Sequence, residues 1–143
     1  MSPVNHGPLV GVWNLQSIHF EDASTGERLD MFGQNPSGHL IQTSEGRMMA
    51  IIMRSDRTPP KEDADGAMLF KTMMAYTGNY RVEGEDKFVT DVALAWHPGW
   101  NGTRQERFFK IDGNTLSITT GQQTHPMFPG RIGRGVITWK KAS

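Results

Sequence analysis

The run Gly11-Val12-Trp13-Asn14-Leu15-Gln16-Ser17-Ile18 constrains the fold more than any other stretch of the chain. Trp13, Leu15 and Ser17 fall on one side, and Val12, Asn14, Gln16 and Ile18 on the other. A period of two is the signature of a strand. The glycine two residues before the tryptophan lets another backbone approach closely. The indole is large enough to plug the floor of a small barrel, and equally at home in a sandwich core. The rest of the chain decides between these two.

Residues 1–8 hold two prolines, a glycine and polar side chains, and read as a loose lead-in. Strands are predicted over Leu9–Phe20, His39–Thr43 and Met48–Arg54, with a tight hairpin turn at Ser44–Arg47. Ser55–Pro60 ends the third, because consecutive prolines cannot continue a ladder. Residues 64–77 carry the one helical pattern: Met68, Leu69, Thr72, Met73 and Tyr76 follow the i, i+3, i+4 rhythm. Asp63 or Asp65 is positioned to cap its start, and Gly78 to end it. Strands resume over Asn79–Val82, Lys87–Trp96, Thr103–Ile111, Thr115–Thr120 and Arg134–Lys141, with a hairpin signal at Asp112-Gly113-Asn114. Eight short antiparallel strands close into a barrel with room for one small ligand, and a helix between strands 3 and 4 suits a lid.

Residues 1–143 read as one domain, of a size that buries a real core. Lys plus Arg and Asp plus Glu are 15 each, so the net charge is zero and the basic footprint of a nucleic-acid binder is missing. With no cysteine, disulfides, thiolate metal sites and cysteine catalysis are excluded. No signal peptide or membrane-length apolar run is read, so the expected setting is the cytoplasm, without membrane partners. Nine methionines suit an adaptable apolar pocket.

Several ordered pieces resemble the bacterial lipocalin-like domain family: Leu9–Leu15, the Gly38–Met48 hairpin, Met53–Arg57, Pro98–Gly102, Arg107–Phe109 and Gly113–Leu116. The resemblance implies an up-and-down calycin-like barrel with a helix between its third and fourth strands. Asp91 stands where relatives often carry His.

The expected function is binding of a small, largely apolar molecule in the lumen. Trp13, Met48, Ile52 and Phe109 are the expected lining, with Trp96 near the mouth. Arg107 or Arg54 orients one polar end, because a guanidinium among apolar side chains needs an anionic partner. Asp91, expected to face the lumen, is one such partner and a ligand carboxylate or phenolate the other. Ser17 and His19 are expected inside with Trp13 and Leu15.

The alternative is a cofactor-free isomerase, lyase or cyclase using His97, Asp91 and Tyr76 as acid–base groups. A third class, a structural barrel acting as a homodimer, stays open. No His-x-His or His-x-x-x-His spacing points to a metal, and no phosphate or dinucleotide motif points to a cofactor.

Overall fold

The computed structural model describes residues 7–125 and 128–142, so most of the lead-in lies outside the described residues. Its strands are β1 (Gly11–Asp22), β2 (Arg28–Asp30), β3 (Ser37–Gln42), β4 (Arg47–Met53), β5 (Met73–Glu83), β6 (Lys87–Ala95), β7 (Arg104–Asp112), β8 (Thr115–Thr120) and β9 (Gly133–Lys141), with one helix, α1 (Asp63–Lys71). All pairings are antiparallel. β1 joins β3 on one edge and β9 on the other, which closes eight strands into a barrel. The short β2 pairs with the far end of β1, through His19, Phe20 and Glu21, and lies outside that ring.

The helix corrects the sequence reading in place and in length. It follows β4, because Arg28–Asp30 adds a strand that the sequence pattern did not signal. It also stops at Lys71, and Met73 onward is strand. Met74, Tyr76, Gly78 and Tyr80 follow a period of two, and β5 gains a full ladder on both edges, with β4 and β6. Two ladders outweigh a helical rhythm that the Met73-Met74 pair left ambiguous. The Asp65 carboxylate caps the helix start, accepting from the backbone N–H of Lys61 at 2.9 Å and Glu62 at 3.1 Å.

Two bulges set which side chains enter the barrel. One lies between Leu15 and Ser17 in β1. Beyond it the inward phase switches, so Ile18 and Phe20 are buried, while Ser17 is exposed and His19 half-buried. The other interrupts the β5–β6 register after Thr77. A Cβ on Gly78 would collide with the Asp91 carbonyl oxygen, so the close approach there requires glycine. On β6 Phe88, Thr90 and Val92 of the large set are buried, and so is Val89 from the opposite face, but of these only Phe88 lines the interior chamber. Asp91 therefore points outward, contrary to expectation, and pairs with Arg81 at 3.2 Å and Arg104 at 3.3 Å in solvent.

The far end of the barrel is shut. Trp13 is 1% exposed, and its indole N–H donates to the Leu9 carbonyl at 3.1 Å. Lys141 lies 5.6 Å over the same ring. The opposite end is a mouth, where Met68 and Phe70 of α1, Trp96, His97 and Pro129 line one cleft. Outside the barrel, Val12, Ile41, Met49, Thr77 and Leu94 are successive cross-strand partners and form an apolar row. No helix among the described residues is long and apolar enough to cross a membrane.

Candidate functional site

Inward side chains of β4, β5, β6 and β8 leave a chamber of about 40 Å³ beneath the mouth. Met48, Ala50 and Ile52 come from β4, Met74 and Tyr76 from β5, and Ile118 from β8. At the rim, Met31 belongs both to this chamber and to an outer cleft of about 450 Å³. The chamber has room for roughly three water molecules, whereas the cleft falls within the size range of ligand pockets. Methionines 31, 48 and 74 all touch the chamber. Their unbranched thioethers re-pack at low cost, so the chamber can widen toward the cleft.

Arg107 is the charged member of the chamber wall. It enters from β7 opposite Phe88 and Thr120, and is 3% exposed. Its Nη1 donates to the Glu106 carbonyl at 2.9 Å and to Gln105 Oε1 at 3.4 Å. The guanidinium lies 5.9 Å over the Trp100 ring. Among the described residues no carboxylate pairs with it, and its Nε has no hydrogen-bond partner. An ionised group so placed costs several kcal/mol, of the order found for broken buried pairs. Carbonyls and a ring face offset only part of that cost.

His125 borders the same chamber from the segment between β8 and β9, edge-on to Trp100 at 6.2 Å. Burial above all, and then the Arg107 guanidinium and His97, push its pKa down to about 4. The imidazole is therefore neutral at pH 7, and Arg107 supplies the positive charge. Thr120 is fully engaged: its hydroxyl donates to the Gly121 carbonyl at 3.0 Å and accepts from Gly135 N–H at 2.8 Å.

The outer cleft runs between α1 and the mouth. Phe70 approaches Trp96 at 6.4 Å and His97 at 5.9 Å. His97 Nδ1 accepts from the Gly99 N–H at 3.0 Å, so a neutral ring carries its proton on Nε2. Arg54 lines the cleft too, but Asp56 already grips it through two bonds of 2.9 and 2.8 Å. Its side chain is 37% exposed, and the pair belongs to the solvated rim.

The expected site residues thus fall into separate groups. Met48, Ile52, Arg107 and Tyr76 meet on the chamber wall. Arg54, Trp96 and His97 meet in the cleft. Trp13 seals the floor, and Phe109 packs on Phe88 at 5.9 Å in the core. Asp91 joins none of them, so neither the Arg107–Asp91 partnership nor the His97–Asp91 acid–base pair exists. Trp100, His125 and Trp139 line the chamber without having been singled out in sequence. The first two sit in Pro- and Gly-rich connections where no periodicity shows which way a side chain points. Among the described residues no group of three or more His, Asp or Glu could hold a metal ion.

A closed eight-stranded antiparallel barrel with a shut floor and an apolar chamber defines an up-and-down β-barrel of the lipocalin type. The chain belongs to the lipocalin-like domain family, whose model matches residues 10–142. The match does not single out a bacterial branch. The chain is also 29% identical over 110 residues to the 4'-hydroxy-3'-methoxypropiophenone carrier protein ppsC of Aspergillus oryzae (strain ATCC 42149 / RIB 40), covering 66% of this chain and 96% of that protein.

Proposed function

We propose that this protein binds a small, largely apolar molecule whose anionic oxygen is held by Arg107, with the apolar body among the chamber methionines and the remainder in the outer cleft. The carrying observation is the Arg107 guanidinium, 3% exposed on an apolar wall and facing no carboxylate among the described residues. A ligand carboxylate or phenolate completes the ion pair that the wall omits, and guanidinium takes such groups in bidentate fashion. The fold supports this reading, and so does the similar carrier protein, whose name specifies an aromatic ketone with a ring hydroxyl. A flat ring with one ionisable oxygen would enter once the chamber methionines re-pack toward the cleft, and the one fixed positive charge would orient it.

Quenching of tryptophan fluorescence tests this, since Trp100 borders both the chamber and Arg107. Substituted benzoates and phenolates are expected to bind saturably. Arg107→Met is expected to weaken them by about 10- to 100-fold, the value of a charge-assisted hydrogen bond. Matched neutral ligands should be nearly unaffected. Equal loss for neutral and anionic ligands would remove Arg107 from the role.

A further inference from the structure

The chamber wall carries a second buried donor that lacks an acceptor. Trp139, on β9, is 2% exposed, and among the described residues its indole Nε1–H has no hydrogen-bond partner. Buried indole N–H groups ordinarily find one. Trp139 lines the same chamber as Arg107, at a different depth. On β8, Arg107 is registered with Thr120, and Trp139 with Leu116. Four residues of strand separate those levels, about 13 Å of backbone. The inward residue between them is Ile118, and Ile137 lies across from it on β9; both are chamber wall.

The wall therefore offers an arginine donor near the mouth, an apolar belt, and an indole donor nearer the floor. Both groups are donors only, since neither guanidinium nor indole N–H accepts a hydrogen bond. We infer that the part of the ligand inside the chamber is elongated and carries an acceptor oxygen at each end of an apolar body: an anionic oxygen at Arg107 and a neutral, non-donating one, a ketone or ether, at Trp139 Nε1–H. A hydroxyl or amine at the deep end would bring a second donor to a place that already has one. This rests on the carrier reading above and adds the class of ligand.

Two carboxylates that differ at the distal end separate the claims. Isothermal titration compares 4-acetylbenzoate with 4-ethylbenzoate on the wild type and on Trp139→Phe. The wild type is expected to bind the acetyl compound about fivefold to tenfold more tightly, the worth of one buried hydrogen bond. Trp139→Phe should erase that preference, so that the acetyl and ethyl compounds bind the variant with equal affinity. In the wild type, the assigned Trp139 indole ¹⁵N–¹H resonance should move downfield with 4-acetylbenzoate alone. That readout stands even if Trp139→Phe fails to fold. Equal affinities and an unmoved resonance would overturn the two-acceptor inference and leave the carrier reading standing. Failure of both carboxylates to bind would overturn both.

Discussion

At the scale of single residues, buried polar groups divide into those with an evident use and those without. Gln42 is 1% exposed, and neither amide atom has a partner among the described residues. It is not part of the chamber wall, so no ligand relieves it. Gln42→Met keeps the shape and removes the desolvation penalty. It is expected to raise stability by about 1 kcal/mol, read as a higher urea midpoint at constant slope. His125 works in the opposite sense. Its pKa falls from an ordinary 6.5 to about 4 in the folded protein. Between those values the unfolded chain binds a proton that the folded chain refuses, so stability drops as pH falls through that window. The drop is about 3 kcal/mol at full extent, and thermal melts from pH 7 to pH 4 should show it. His125→Phe should flatten the decline, leaving the parts due to His19, which burial and Arg28 also push down, and to carboxylates such as Asp22 and Asp65 that backbone N–H groups hold below their ordinary range. Stability that survives to pH 4 undiminished would contradict the buried neutral imidazole.

At the scale of elements, the sequence revealed the staves better than their faces. Turn residues such as Asp112-Gly113-Asn114 marked the hairpins, and β7, β8 and β9 fell within a residue or so of their expected bounds. What alternation cannot disclose is a bulge, because one inserted residue exchanges inside for outside. That is why Ile18 and Phe20 displaced Ser17 and His19. Asp91 differs from expectation for another reason: the alternation of β6 is unbroken from Lys87 to Val92, but both of its faces carry apolar residues, so alternation does not say that the larger set is the inner one. Arg107 was legible because β7 has no bulge between Gln105 and Ile111, and its alternation holds. Gly78→Ala tests the β5–β6 bulge directly. Overlap with the Asp91 backbone is expected to cost about 2 to 3 kcal/mol. Asp91→Asn, on the outer face, should leave ligand affinity unchanged. The helix is the opposite case: α1 has no buried residue and is tied to the rim by Arg57, which donates to the Leu69 carbonyl at 3.1 Å. Such an element opens cheaply. Amide exchange in residues 63–71 should be fast in the free protein and slow when a ligand occupies the cleft that Met68 and Phe70 line.

At the scale of the molecule, two apolar surfaces compete for a greasy ligand: the chamber inside, and the outer groove of about 250 Å³ around Met49, Ile51, Ala75 and Leu94. Only the first has a charge to orient what it holds. Intermolecular NOEs from bound 4-ethylbenzoate to methyl-labelled protein distinguish them. Cross-peaks to Ile118, Ile137 and Ile52, with one-to-one saturation, are the expected result. Cross-peaks confined to Ile51, Met49 and Leu94, or none that saturate, would mean that the barrel's interior is core and not a binding site.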